Sequence, residues 1–193
     1  MTTDVPGTVA PLRADAARNR DRILCAAAGA FAAGGCEVSL EDVARAAGVG
    51  VGTVYRRFPT KQHLLDALFE GRMATLADHV EALADRSGDD PWDAFAELLT
   101  ALLAEQARDL ALGELIRTPE AVSAGFAAER GRAMAAAAVV AERARDSGAL
   151  RDGFEHGDLL LALHAGHGVA QAGGPEASAR FAAWTLDGFR ARA

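Results

Sequence analysis

Aromatic residues, cysteines and lysines are all scarce in this chain of 193 residues. Only 6% of the residues are aromatic, two are cysteine and Lys61 is the one lysine, whereas 50% are hydrophobic and alanine is abundant. No uninterrupted apolar run reaches the roughly 18 residues of a membrane-spanning helix, and residues 1–12 lack the basic and apolar pattern of a secretory signal. We therefore expect an all-α, alanine-packed protein that has no membrane segment and resides in the cytoplasm.

The sequence signatures of common enzyme classes are also missing. The chain contains no G-x-S-x-G, no G-x-x-x-x-G-K and no H-E-x-x-H motif. Its cysteines, Cys25 and Cys36, have no C-x-x-C spacing and no histidine at metal-ligand spacing. We therefore expect no catalytic activity, no cofactor and no metal site, and the two cysteines are either small apolar packing residues or a thiol sensor.

Charged residues are unevenly distributed, although the formal net charge of the whole chain is −7. Residues 1–61, here called the head, contain eight Lys and Arg against six Asp and Glu, a net charge of +2. Residues 62–193, here called the body, contain 12 against 21, a net charge of −9. A mildly basic head can approach phosphates while an acidic body stays away from them. The distribution therefore favours nucleic-acid binding through the head.

The stretch from Ser39 to Lys61, SLEDVARAAGVGVGTVYRRFPTK, is typical of two short helices joined by a tight turn. Ser39 and Asp42 form an S-x-x-D capping box that predicts a helix from Leu40. Gly48 predicts its end, because glycine readily adopts the left-handed conformation of a helix stop. The following helix extends from about Val51 to Phe58.

This following helix has a packing side and a free side when its residues are placed at 100° intervals. The packing side is apolar or aromatic: Val51, Val54, Tyr55 and Phe58. The free side carries two guanidinium groups, a hydroxyl and a glycine: Arg56, Arg57, Thr53 and Gly52. Because such side chains suit phosphates and guanine edges in a major groove, we interpret it as a recognition helix.

These residues resemble the tetracycline-repressor-like (TetR) family of bacterial transcription regulators. The matching residues are Ala47-Gly48-Val49, Gly52-Thr53-Val54-Tyr55 and Phe58 with Lys61, preceded by Ser39 and Val43-Ala44. The resemblance covers roughly Arg18 to Glu70, and it departs at Gly50, where the family usually has a serine cap. It implies a helix-turn-helix regulator of transcription.

The resemblance implies an all-α fold of about nine helices in two domains. An N-terminal three-helix helix-turn-helix domain at residues 15–60 would bind DNA, after a flexible arm at residues 1–14, and residues 61–193 would form a ligand-binding and dimerisation domain. The implied function is a ligand-responsive repressor that binds a palindromic operator in double-stranded DNA as a homodimer, its small-molecule effector being unidentified. The alternative is a DNA-anchored protein-interaction module without a small-molecule inducer.

By the same resemblance, the DNA-contacting residues fall into two groups. Phosphates are held by Thr53, Tyr55 and Lys61, whereas base edges or the adjacent backbone are met by Val51, Gly52, Arg56 and Arg57. Ser39, at the start of the preceding helix, completes the predicted set. Four further arginines lie near the start of the first helix: Arg13, Arg18, Arg20 and Arg22. They either touch the DNA backbone or minor groove or form a solvated charge cluster.

Apolar residues at helical spacing predict the remaining helices. The first extends from about Ala16 to Ala33, and the fourth, capped by Thr60, extends to Ala84 and is long enough, about 36 Å, to link head and body. Later helices are predicted from Pro91, over Leu110 to Arg117, from Thr118-Pro119 to about Arg145, over about Glu155 to Ala172, and over about Pro175 to Arg192.

Several body residues are candidates for a ligand pocket: Trp92, Phe95, Leu99, Phe126, Arg130, Met134, His164 and His167. Ordinary core packing is the alternative for the apolar ones. His164 and His167 lie three residues apart on one predicted helix, but a third residue at metal-ligand spacing is missing. These histidines therefore either face a ligand or form hydrogen bonds in a core.

The last two predicted helices have broad apolar faces, which are typical of a two-fold four-helix interface. Gly166 and Gly168 would allow close contact of the helix backbones there. The predicted dimer-interface residues are Leu160, Phe181, Trp184 and Gly188. Burial within a single domain is the alternative explanation of the same pattern.

Overall fold

The computed structural model describes residues 9–117 and 123–191, with side chains from residue 18 onward. Eight α-helices make up this part of the chain: α1 (Val9–Gly34), α2 (Leu40–Ala47), α3 (Val51–Arg57), α4 (Lys61–Arg86), α5 (Pro91–Arg108), α6 (Leu110–Arg117), α7 (Ala124–Asp146) and α8 (His156–Phe189). A short 3-10 turn, Gly35–Glu37, connects α1 to α2. No strand forms among the described residues, and the predicted all-α fold is confirmed.

The helix-turn-helix forms as the sequence predicts. The Ser39 hydroxyl accepts a hydrogen bond from the Asp42 amide at 3.1 Å, and the Asp42 carboxylate accepts one from the Ser39 amide at 3.2 Å, which completes the capping box. Gly48 ends α2 in the left-handed conformation, with φ 64°. Arg22 of α1 donates to the Ala47 carbonyl at 2.9 Å, so a cation neutralises the negative end of α2.

Fully buried side chains from three helices form the centre of the head. Ile23 and Phe31 of α1, Val43 of α2 and Val54 of α3 have no exposed surface, and each such burial stabilises the fold by about 1.5–3 kcal/mol. Residues of α6 and α7, including Leu112 and Phe126, belong to the same apolar cluster. The core of the head therefore continues into the body.

Helix α4 joins the two apolar clusters of the molecule. Its first half places Leu64 and Phe69 in the head cluster, and its second half places Val80 and Leu83 in a separate body cluster with α5, α7 and α8. Its N-terminus is capped by Thr60, whose hydroxyl accepts from the His63 amide at 3.3 Å. A rigid helix packed in both clusters can transmit displacement between them. None of the helices in the described part of the chain combines the length and apolar character needed to cross a membrane.

Two helix starts differ from the sequence-based expectation. Helix α1 begins at Val9 rather than near Ala16, so residues 9–14 of the predicted flexible arm are helical; Pro11 lies in the first turn, where proline is tolerated. Residues 1–8 lie outside the described part. Helix α7 begins at Ala124 because the Ser123 hydroxyl caps it by accepting from the Phe126 amide at 3.1 Å. The predicted cap Thr118, with Pro119 and Val122, lies outside the described residues.

The last two predicted helices form one element. Helix α8 continues from His156 to Phe189 but bends at Gly174, whose φ of 64° and ψ of −161° are not helical. Pro175 follows and has no amide hydrogen to donate, so the bend and the proline coincide. We call residues 156–173 the first arm of α8 and residues 175–189 its second arm. The predicted break is thus a kink rather than a loop.

Candidate nucleic-acid interface

Helix α3 presents most of its surface to solvent. Arg56, Arg57 and Gly52 are exposed, and Thr53 is partly buried. The predicted packing side is only half correct, because Val54 and Phe58 are buried whereas Val51 is 43% exposed and Tyr55 44% exposed. A helix of seven residues that packs through one turn leaves its remaining side chains free. Val51 and Tyr55 therefore belong to the exposed surface.

Two hydrogen bonds orient the polar side chains of this surface. Arg56 donates to the Thr53 hydroxyl at 3.2 Å, one helical turn earlier. The Tyr55 hydroxyl donates to the Glu41 carboxylate of α2 at 2.9 Å, and this bond raises the pKa of Tyr55 above its ordinary value, so the phenol is neutral at physiological pH. Both groups keep lone pairs or N–H groups that can meet an incoming ligand.

Lys61, the last residue of the head, lies at the first position of α4 and is partly buried. Its ammonium donates to the main-chain carbonyl of Cys36 and lies 5.8 Å from the centre of the Phe31 ring. A lysine ammonium has three N–H groups, so this contact leaves two for another acceptor. Lys61 is therefore held in place by the protein before any ligand binds.

Ser39 caps α2 instead of projecting freely from the surface. Its hydroxyl also donates to the Asp42 carboxylate at 2.6 Å, and Arg45 donates to the same carboxylate at 2.7 Å. These bonds, first that from Ser39 and then that from Arg45, lower the pKa of Asp42 to about 2. The carboxylate is therefore ionised throughout the physiological range, and it keeps the start of α2 fixed beside α3.

The predicted ligand-pocket residues do not form one cavity. Trp92, Phe95 and Leu99 belong to the body cluster, whereas Phe126 belongs to the head cluster. Phe95 is fully buried, and its ring packs edge-on against that of Phe154 with a centroid distance of 5.6 Å. These side chains fill cores, because aromatic rings at such spacing leave no room for a ligand.

The remaining pocket candidates are also separated. Met134 is 44% exposed on α7, and His164 is exposed on α8, where its ring nitrogen bonds to the Leu160 carbonyl at 2.7 Å. Arg130 donates to the Ile116 carbonyl at 3.1 Å. His167 is only 5% exposed and points inward. His164 therefore faces solvent and His167 the interior, and no group of three metal-ligating side chains occurs among the described residues.

A buried polar cluster connects the body to the head, and sequence reasoning did not identify it. Gln106 is 1% exposed and neither end of its amide is paired within the described structure, and the Nδ1 atom of His167 is likewise buried and unpaired. His167 Nε2 lies 3.7 Å from Glu114, and the other oxygen of Glu114 accepts from the Cys36 amide at 2.7 Å. The sequence holds one signal of this cluster: Gln106 interrupts the apolar stripe of α5, four residues after Leu102.

Burial sets the protonation of this cluster. It lowers the pKa of His167, helped by Arg117 and opposed by Glu114, so the imidazole is neutral at physiological pH. Burial, together with the Glu114 carboxylate, raises the pKa of Cys36 to about 12. The Cys36 thiol is therefore protonated and a poor nucleophile, whereas Cys25 lies exposed on α1.

Three of the four predicted dimer-interface residues are exposed on α8. Leu160 is 36% and Trp184 68% exposed, Gly188 is also exposed, and Phe181 is partly buried against the body cluster. Leu161, which the prediction omitted, is 67% exposed. Gly166 faces inward instead, since a methyl group on it would collide with the Leu103 side chain of α5. That glycine allows α8 to pack on α5 within one protomer.

The exposed recognition helix, its fixed turn and its separate helical body define a helix-turn-helix transcription regulator. Residues 23–68 match the family described as "Bacterial regulatory proteins, tetR family". A TetR transcription regulatory protein from Mycobacterium vanbaalenii is 30% identical to the chain, with 93% of this chain and 99% of that one covered and a TM-score of 0.50. The chain belongs to the TetR family.

Two further solved structures share the fold over nearly the whole length. The TetR transcriptional regulator SCO0520 from Streptomyces coelicolor is 28% identical, with 90% and 99% of the two chains covered and a TM-score of 0.54. HlyIIR, a hemolysin II transcriptional regulator, is 16% identical, with 92% and 99% covered and a TM-score of 0.62. No curated protein matches the chain.

Proposed function

We propose that this regulator binds a palindromic operator as a homodimer and represses transcription until a small molecule releases it. The observation that carries this proposal is the exposed α3 surface, where Arg56 and Arg57 stand free of carboxylate partners within the described structure. Each protomer places α3 in one major groove, with half-sites separated by about one helical turn, 34–36 Å, or a multiple of it. This role places the protein in the cytoplasm with the chromosome.

The contact residues divide by reach and chemistry. Val51, Gly52, Arg56 and Arg57 meet base edges or the adjacent backbone, because they are exposed on α3. Thr53, Tyr55 and Lys61 hold phosphates, Tyr55 by exchanging its bond to Glu41 and Lys61 through its two remaining N–H groups. Ser39 contributes a DNA contact at the start of α2, where its capping box with Asp42 holds it in place.

Dimerisation through α8 is supported by its exposed apolar side chains. Both arms carry them, Leu160 and Leu161 on the first and Trp184 on the second, and large exposed apolar groups favour association. Replacing both Leu161 and Trp184 by Glu should convert a dimer to a monomer in sedimentation velocity. Met134→Glu, which alters an apolar residue of α7 that is 44% exposed, should not. A wild-type monomer at operator-binding concentrations would refute this interface.

An effector would act through α4, which is packed in both clusters. An apolar groove of about 240 Å³ lies between α5 and the second arm of α8, lined by residues that include Leu103, Ala107 and Ala182. A ligand shifts the regulator only if it binds the released and DNA-bound states with different affinity. Operator affinity that stayed constant across a broad metabolite screen would favour the alternative, a DNA-anchored protein-interaction module.

The DNA-binding proposal is tested by selecting fragments of the source genome that the purified chain retains at low salt. The expected result is one or a few enriched fragments that share an inverted repeat, with protection of both half-sites in footprinting. The genes beside those fragments would indicate the class of effector. Uniform retention of all fragments, or none, would contradict sequence-specific regulation.

A further inference from the structure

A cleft of about 200 Å³ lies between α1 and α3, on the side of the recognition helix that faces solvent. Its lining comprises three residues from each helix: Asn19, Arg20, Ile23, Thr53, Arg56 and Arg57. Three arginines, an asparagine and a threonine therefore line it together with one isoleucine, and no acidic side chain belongs to the lining. All these polar groups can donate hydrogen bonds.

Two of the three guanidinium groups are uncommitted. Within the described residues, neither Arg20 nor Arg57 has a hydrogen-bond or ion-pair partner, while Arg56 bonds only to the Thr53 hydroxyl. Arg22, one half-turn away on α1, is by contrast used to cap α2 at the Ala47 carbonyl. Arg20 and Arg22 therefore have different roles: Arg22 caps α2, whereas Arg20 stays available for a ligand.

The charge arrangement favours an anion in the cleft. Like charges brought together in one small volume repel each other, and an anion accepting from several of them relieves that repulsion. The planar guanidinium group binds phosphate oxygens through two parallel hydrogen bonds, so two arginines from different helices can hold one phosphate. Ile23, with no exposed surface, anchors this part of α1 in the head core and limits the movement of Arg20.

We propose that this cleft binds a backbone phosphate of the operator, with Arg20 from α1 and Arg57 from α3 as its two principal ligands. The occupant is DNA rather than a free anion because Thr53, Arg56 and Arg57 also belong to the surface that faces the groove. This inference rests on the proposed DNA-binding function and extends its footprint to the first helix. A contact of this kind fixes the position of α3 on the duplex without reading sequence.

The test compares Arg20→Ala and Arg57→Ala with the full-length wild type on the selected operator and on scrambled DNA. Each variant should lose a similar factor of affinity on both duplexes, on the order of tenfold, and its salt dependence should fall by about one ion per protomer. Arg145→Ala, which removes an exposed arginine at the far end of α7, is the matched control and should bind as wild type. Thermal melting should be unchanged in all three.

Neutral methylphosphonate substitutions in the operator locate the contact. One substitution per half-site should weaken the wild type but leave Arg20→Ala unaffected, because the variant has already lost that interaction. If Arg20→Ala bound like Arg145→Ala while Arg56→Ala lost the operator, the inference would fail and the proposed function would stand. If the wild type bound no operator, the proposed function itself would fail.

Competition distinguishes a DNA phosphate from a small anion. Inorganic phosphate, added at constant ionic strength, should displace the wild type and Arg20→Ala equally. Displacement of the wild type alone, with no methylphosphonate position that depends on Arg20, would identify a small-anion site and overturn the assignment to DNA.

Discussion

Arginines of the head and arginines of the body have different partners. In the body, Arg72, Arg86, Arg108, Arg132 and Arg151 each bind at least one carboxylate. Among the described head arginines, Arg45 pairs with Asp42, Arg22 bonds to a main-chain carbonyl, and Arg20 and Arg57 have no bonded partner. In the body, arginine side chains form ion pairs with carboxylates. In the head, some arginine side chains stay available for an external ligand.

This difference explains how an acidic protein can bind an acidic polymer. The body carries a net charge of −9, but six of its 12 arginines form ion pairs with its own carboxylates. The head has a smaller net charge of +2, yet its unpaired guanidinium groups are concentrated on one side of α3. We therefore expect local pairing, more than total charge, to decide which surface meets DNA.

The largest expected effect comes from breaking a body ion pair. Arg72 bonds to Asp109 at 2.5 Å and to Glu105 at 2.7 Å, and Asp109 is only 2% exposed. Arg72→Met should lower the free energy of unfolding by about 2–3 kcal/mol, because Asp109 is left buried and unpaired; the partial exposure of Arg72 reduces the cost of a fully buried pair. Urea titration followed by circular dichroism measures it.

The double variant of Arg72→Met with Asp109→Asn is the control for that experiment. It removes both charges, while the amide oxygen introduced at position 109 can still accept from the Leu112 amide, as the Asp109 carboxylate does at 3.1 Å. Much of the lost stability should return. A single variant that unfolds at the wild-type urea concentration would show that this ion pair contributes nothing.

The corresponding change in the head should leave stability intact. Arg56→Ala is expected to weaken operator binding by about 1–3 kcal/mol if the guanidinium group meets a guanine, because a bidentate contact to the base edge is lost. Fluorescence anisotropy with operator and scrambled duplexes measures the effect. Equal weakening on both duplexes would reassign Arg56 to a phosphate.

A smaller effect concerns acid sensitivity at the boundary of the two regions. His167 faces Glu114 and Arg117 of α6 and Gln106 of α5, and its folded-state pKa is lowered below 6.5. The unfolded chain protonates His167 more readily than the folded chain does. The contribution of neutral His167 to the unfolding free energy is therefore complete above pH 6.5 and is lost as pH falls through the folded pKa. His167→Gln should flatten the stability profile below pH 6.5.

His164→Gln provides the matched comparison for that profile. His164 is exposed on the same helix, so its replacement removes an imidazole from α8 without altering the buried cluster around His167. Chemical denaturation at a series of pH values records both variants. Identical profiles for His167→Gln and wild type would show that His167 does not cause the loss of stability at acidic pH.

The smallest expected effect is at the exposed ion-pair cluster of the body. Arg132 binds Glu81, Asp78 and Glu129, which raises its pKa, yet its side chain is 41% exposed. Arg132→Met should lower the urea midpoint only slightly at low salt. The difference should vanish near 1 M salt, where the Debye length is about 3 Å. A large decrease in the urea midpoint that did not depend on salt would show that Arg132 stabilises the fold as strongly as Arg72 does.

Local signals made the head predictable. The capping residues Ser39 and Thr60 and the stop at Gly48 act within three or four residues, so the start and end of each short helix follow from neighbouring side chains. The structure starts α7 at Ala124 with Ser123 as its cap, whereas the sequence pattern favours Thr118 before Pro119, which lies outside the described residues. The bend of α8 was predicted as a break, since glycine and proline signal both.

Long-range contacts in the body were beyond sequence reasoning. The pairing of Arg72 with Asp109 spans 37 positions and that of Glu114 with Cys36 spans 78, so no periodicity connects them. The sequence prediction places Phe95 and Phe126 in one pocket, yet they pack in different clusters. The sequence alone does not place Arg20 beside α3, because only the folded structure shows that residues of α1 and α3 line one cleft.

The Cys36 amide donates a hydrogen bond to the Glu114 carboxylate, and the Cys36 carbonyl accepts one from the Lys61 ammonium. These two side chains, distant in sequence, are thus linked through the main chain of one residue. Neither bond involves the thiol, and the identity of the side chain at position 36 can therefore drift without disconnecting them.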